Sequence, residues 1–155
     1  MTPLIARARR KLAHYPQVRY TATATRLHVP APEPGGFGIR LHSRGKRYIV
    51  RFEGWVRVFD RDDDALDCFE FGLSDSCRLA VKLRGSIAVA WTVETTQYGL
   101  WAAHHRTARW LAPFWGTART EYLQNHVIVS RTWAKNRAAL SPDESVGPSD
   151  AMPAV

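Results

Sequence analysis

Between Cys77 and Val93 the chain places an apolar side chain at nearly every second position on both sides of the dipeptide Gly85-Ser86. Cys77, Leu79, Val81 and Leu83 alternate with Arg78, Lys82 and Arg84, and after the turn Ile87, Val89, Trp91 and Val93 come back. A period of two sends successive side chains to opposite faces of a strand, and Gly-Ser suits a tight reversal. A hairpin of this kind has one apolar face to bury. The chain must therefore build an antiparallel sheet and cover it.

The same period recurs upstream. Val18, Tyr20, Ala22 and Ala24 alternate with Arg19, Thr21, Thr23 and Thr25, which predicts a half-buried strand. Residues 30–36 are too rich in Pro and Gly for regular structure and read as a loop. Phe37, Ile39 and Leu41 restart the alternation, the segment from Ser43 to Lys46 reads as a turn, and Tyr48, Val50 and Phe52 form the return strand. Gly54 predicts a bulge before a strand from Trp55 to Phe59. Residues 99–111 fit two templates, a helix with Leu100, Ala103, Thr107, Ala108 and Leu111 on one face, or a strand paired with its predecessor. The segment from Thr120 to Val129 ends on Val-Ile-Val and reads as a strand.

Two stretches switch to helical spacing. Thr2 can cap a helix that has Pro3 at its first position, with Leu4, Ile5, Ala8, Leu12 and Tyr15 on one face; Pro16 ends it, which predicts a helix over 3–15. The acids from Asp60 to Asp64 offset the positive end of a second helix, at about 62–72. Ala65, Leu66, Cys68, Phe69 and Leu73 are its expected buried stripe, Asp63, Asp64, Asp67 and Glu70 its wet face, and Gly72 its stop. The expected fold is α+β: a twisted antiparallel sheet of roughly five to seven strands built from hairpins, covered by the N-terminal helix and one or two further helices. Residues 1–135 are expected to form a single globular domain. Residues 136–155 hold little to bury and read as a disordered C-terminal tail.

Charge is unevenly spread along the 155 residues, and this bears on partners more than the net value of +8 does. Residues 1–51 carry eleven Lys and Arg against the single acid Glu33, whereas residues 52–75 carry eight acids against two Arg. Clustered cations suit a polyanion. No apolar run is long enough to span a membrane, and Arg7, Arg9, Arg10 and Lys11 break any secretory core. With only Cys68 and Cys77, a disulfide scaffold is excluded and both thiols are expected to be buried and reduced. A cytoplasmic location follows; the organellar matrix is the alternative, because the first 32 residues lack acids as a transit peptide does.

Catalytic signatures are missing. The acids from Asp60 to Asp67 lack the glycine and closing glutamate of a calcium loop. Cys68 and Cys77 lie too far apart for a zinc knuckle, and adjacent His104 and His105 would point in different directions. Ser74 and Ser76 flank Asp75 without the glycines of a nucleophile elbow. No catalytic, cofactor or metal residue is therefore assigned. The segment from Arg106 to Tyr122 interleaves Arg with Trp, Phe and Tyr, as surfaces that stack bases or anchor partners do. Arg106, Arg109, Trp110 and Arg119 are its candidate interaction surface, with Trp110 at the rim and Trp115 in the core. The expected function is a non-enzymatic binding or accessory module for a protein or polyanion. The alternatives are a nucleic-acid-binding protein using that cation–aromatic surface, and a small enzyme whose site assembles only in space, for which His28, His42, His104, Asp75 and Glu94 are the first residues to inspect.

Overall fold

The structure, a computed structural model, describes residues 1–109 and 115–129. Trp110 and residues 130–155, the predicted tail included, lie outside them. Helix α1, Pro3–Leu12, buries Leu4, Ile5, Ala8 and Leu12 and carries Arg9, Arg10 and Lys11 in its last turn, where cations offset the negative helix end. It stops three residues before the predicted end, because the chain turns off with Tyr15 N donating to Leu12 O at 2.9 Å. Thr2 occupies the N-cap without a side-chain hydrogen bond; its Oγ1 is buried and unpartnered, while its N–H donates to Ala24 O at 2.8 Å.

Five antiparallel strands follow in spatial order: β1 (Thr21–Ala22), β2 (Arg26–Val29), β3 (Ile39–Arg44), β4 (Arg47–Phe52) and β5 (Trp55–Phe59). The alternation from Val18 to Thr25 becomes a strand only at Thr21 and Ala22, both exposed. Thr23 reverses the chain there: its Oγ1 accepts from Arg26 N at 3.1 Å and its N–H donates to Arg26 O at 2.8 Å. Between β4 and β5 there is a two-residue turn in place of the predicted bulge, with Phe52 paired to Trp55. A side chain at Gly54 would overlap the Trp91 indole, and the left-handed backbone falls on Glu53 instead, at φ 52°. Glu53 Oε1 accepts from Gly38 N at 2.7 Å and so ties the turn to the start of β3.

Helix α2, Asp62–Leu73, covers the inner face of this sheet. Gly72 lies inside the helix and does not stop it; a Cβ there would meet the Phe52 ring at 2.5 Å, so glycine permits the close approach. Glu70, expected on the wet face, is buried and meets Lys11 Nζ of α1 at 3.2 Å. Arg7 pairs with Asp62 and Asp63 at 3.2 and 2.7 Å, fastening the two helices together at the acid run.

The rest of the strand content forms a second antiparallel sheet in the order β8-β7-β6-β9, from β6 (Cys77–Arg84), β7 (Ile87–Gln97), β8 (Leu100–Ala108) and β9 (Ala118–Gln124). Residues 100–108 are therefore strand. The final strand ends before Val127, and Ile128 makes only an isolated parallel bridge with Ser74. The α+β antiparallel architecture is the expected one, but the nine strands among the described residues divide into two sheets. The division falls at β5, where Thr107 Oγ1 of β8 accepts from Val56 N at 3.2 Å and donates to Val56 O at 3.3 Å. One side chain thus occupies the edge that a sixth strand would have used. Phe37, Phe52 and Trp55 pack in succession under this seam, with centroids 5.1 and 4.7 Å apart. Trp115, predicted to be core, is 68% exposed. Cys77 is buried as predicted, Cys68 is only partly so, and both are free thiols. Among the described residues no helix is long and apolar enough to cross a membrane.

Candidate functional site

Strands β2, β3 and β4 share one phase. Leu27, Val29, Ile39, Leu41, Val50 and Phe52 point to the helices and are buried. Their neighbours Arg26, His28, Arg40, His42 and Arg51 therefore point outward together. The register aligns them: Arg26 stands opposite His42, His28 opposite Arg40, and Arg40 opposite Arg51. Across three strands the row His28–Arg40–Arg51 spans about 10 Å. Thr21 extends it, paired to His28 from β1.

These side chains line a groove of about 490 Å³, with Thr21 and Thr23 at one end and no carboxylate among its walls. Arg26, Arg40 and Arg51 form no ion pair among the described residues. The imidazole of His42 registers the crowding: its pKa lies below the usual value, first through burial and then through Arg26, Arg44 and Arg51. Like charges directly opposite one another weaken a sheet, so the arrangement lowers stability as long as the groove holds no counter-charge. Arginine delivers forked donors suited to phosphate, sulfate or carboxylate oxygens, and threonine hydroxyls add neutral donors.

The surface expected from the sequence is dispersed. Arg106 lies on β8 opposite Thr92, in the row that continues through Ala80 to Tyr122. Arg119 lies on β9, at the other edge of the sheet, opposite the buried Leu83. Because Leu83 and Ala80 have opposite phase on β6, Arg106 and Arg119 project from opposite faces. Arg109 is exposed just beyond β8, with its N–H donating to Val89 O at 2.9 Å. A cation–aromatic cluster does form on the outer face of this sheet, around a different arginine. The Arg78 guanidinium lies 4.0 Å from the Tyr122 ring centre and 4.6 Å from that of Trp101, while Nε reaches Glu94 at 2.5 Å. Its charge is already compensated.

The residues named for an enzyme reading are scattered. His28 and His42 lie in the basic groove, Glu94 is bound to Arg78, and Gln124 Nε2 donates to the backbone oxygen of Asp75 at 2.6 Å. Ser74 caps α2 by donating to Phe71 O at 2.8 Å. His104 shares a second cavity, of about 180 Å³, with Asp67 and Cys68. The Cys68 thiol is pushed up to about 12 by burial, which keeps it protonated and a poor nucleophile at neutral pH. No group of three or more potential metal ligands occurs among the described residues. The signal for the basic groove was present in the sequence as Arg-Leu-His-Val and Ile-Arg-Leu-His, two strands whose polar phase is wholly cationic or imidazole. No family model, curated protein or solved structure matches the chain.

Proposed function

We propose that the chain is a non-enzymatic binding module for a polyanion, and that the groove on the outer face of the first sheet is its contact surface. The observation that carries this reading is the set Arg26, Arg40 and Arg51, without an ion pair among the described residues and arrayed with His28 and His42 in a concave wall without a carboxylate. Acids are plentiful elsewhere in the chain: Arg7 pairs with two of them, and Lys11 and Arg78 with one each. The exception at the groove is a local property. It supports a counter-charge supplied from outside. The groove has no Trp, Tyr or Phe among its walls, so binding draws on backbone phosphate or sulfate and tolerates any sequence.

The test is fluorescence anisotropy of a labelled single-stranded oligonucleotide, with heparin as a second probe, over a range of salt. Affinity should fall linearly in log–log coordinates, and the Arg40→Gln/Arg51→Gln variant should flatten the slope by roughly 1–2 for the oligonucleotide. An Arg106→Gln/Arg109→Gln variant should change it less. The reading is overturned if neither probe binds at low salt, or if the Arg106/Arg109 variant loses binding while the groove variant retains it.

A further inference from the structure

The second cavity lies where β5, α2, β7 and β8 meet, away from the basic groove. Trp55, Cys68, Phe71 and Val93 make most of its wall apolar, and Arg57, Asp67, Thr95 and His104 supply the polar groups. Its volume of about 180 Å³ compares with the ~150 Å³ of an apolar cavity that accommodates benzene. A body the size of one aromatic ring fits.

Three features make the cavity look built for an anion. The first is a β-bulge. Val93 pairs with His105 and Glu94 with Ala103, which leaves His104 as the extra residue on β8. Bulges re-aim a side chain, and this one puts His104 on the cavity while His105 packs edge-on against Trp55, with centroids 5.3 Å apart. His104 thus lines the cavity, while His105 meets Trp55 from outside its wall. Second, Trp55, which lines the cavity and is only 1% exposed, has a buried Nε1 with no hydrogen-bond partner among the described residues. Buried polar atoms are rarely left so. Third, Arg57 makes no ion pair among the described residues; its guanidinium lies over the Phe59 ring at 5.1 Å. Burial lowers the pKa of His105 and raises that of Cys68; the nearby Arg57 charge adds to the first shift and opposes the second. The remaining charged group, Asp67, has its pKa raised, first by burial and then by Glu70, Asp64 and Asp63, with Lys11 opposing.

We propose that this cavity binds a small organic carboxylate whose apolar body is about the size of one aromatic ring. The carboxylate takes charge-assisted hydrogen bonds from Arg57 and His104, and the body lies on Trp55 and Phe71. This inference is independent of the polyanion reading.

The experiment titrates benzoate into the full chain and follows the indole N–H resonance of Trp55, assigned with Trp55→Phe. Benzylamine and benzyl alcohol serve as comparators. Benzoate should shift that resonance saturably, and the two comparators should not. Arg57→Gln should weaken benzoate binding roughly ten- to hundredfold, the worth of one or two charged hydrogen bonds. His104→Gln, at an exposed position that folding tolerates, should weaken it several-fold and serves if the arginine variant fails to fold. Arg40→Gln/Arg51→Gln should bind benzoate as the parent does. The proposal is overturned if the Trp55 resonance does not saturate, if benzylamine binds better than benzoate, or if a folded Arg57→Gln binds undiminished. Loss of benzoate binding in the groove variant would also overturn it, because the anion would then occupy the other surface.

Discussion

Asn125 grips Phe37 by both of its backbone groups, across 88 positions of sequence: Oδ1 accepts from Phe37 N at 3.0 Å, and Nδ2 donates to Phe37 O at 3.1 Å. The same Nδ2 donates to Gly72 O at 3.0 Å, and Asn125 is fully buried. One amide thus stands in for a strand, satisfying a loop backbone that has no ladder of its own. It also closes the C-terminal end of α2.

Asn125→Ala should therefore cost far more than a surface substitution. It leaves two buried carbonyls and one buried N–H unsatisfied, and each such loss costs about 1–3 kcal/mol. With three such losses, a total of at least about 3 kcal/mol is expected in denaturant unfolding. A change below about 0.5 kcal/mol would show that water fills the position without penalty.

Gly54→Ala tests the turn between β4 and β5. The added methyl would run into the Trp91 ring, and Trp91 contributes to the shared core. Overpacking of this kind costs about 1–3 kcal/mol. The compensating variant, Gly54→Ala with Trp91→Leu, should recover part of the loss in a thermal melt; no recovery would locate the strain in the backbone.

The acid limb of stability should follow the histidines. His42 and His105 both have folded-state pKa values below the ordinary 6.5, each mainly through burial and then through nearby cations. The unfolded chain therefore binds more protons in that range. Stability is fully present above about 6.5 and is lost as pH falls through the folded-state values. His42→Gln should flatten this limb. Asp67 has the opposite sign: its raised pKa favours the folded state below the usual 3.8 and costs stability as pH rises through the folded value, so Asp67→Asn should melt higher at neutral pH. A melt series from acid to neutral pH at low salt checks both signs. Saturating heparin should reduce the His42-dependent slope, because a bound anion offsets Arg26, Arg44 and Arg51.

Thiol labelling should be slow at both cysteines. Cys77 is buried with its pKa raised well above the usual value, and Cys68, though partly exposed, is raised to about 12. Native alkylation near neutral pH should lag that in denaturant at both positions, with Cys68 the faster of the two. Rapid native labelling of Cys77 would contradict its placement in the core.

The hairpin at Gly85-Ser86 and the helix opened by Asp62 were legible because each rests on local periodicity. The division into two sheets was not, since alternation says which face of a strand is apolar but not which apolar faces meet. That choice is made at the seam by Thr107 and Val56, 51 positions apart. The groove was half legible. Arg40 and His42 fall on an expected strand, but Arg26 and His28 belong to β2, whose four residues are too few for periodicity to single out. His104 was named from the sequence, but its aim was not legible: a bulge is a shift of register between partners, and a single strand read alone carries no register. Asn125 gave no local signal, because its three acceptors and donors lie near residues 37 and 72.

The strand order β8-β7-β6-β9 has a consequence for the time course of folding. As a chain emerges in sequence, β6, β7 and β8 can zip in turn by short reversals, but β9 must travel back past both β7 and β8 to reach β6. Until it arrives, the inner edge of β6 is an open template with the sequence Cys-Arg-Leu-Ala-Val-Lys-Leu-Arg, in which Arg78, Lys82 and Arg84 interrupt the apolar run. Cations spaced along an unpaired edge discourage a second chain from adding there. The positive charge of β6 therefore acts before the native state exists, as a guard on the interval between synthesis of β6 and the return of β9.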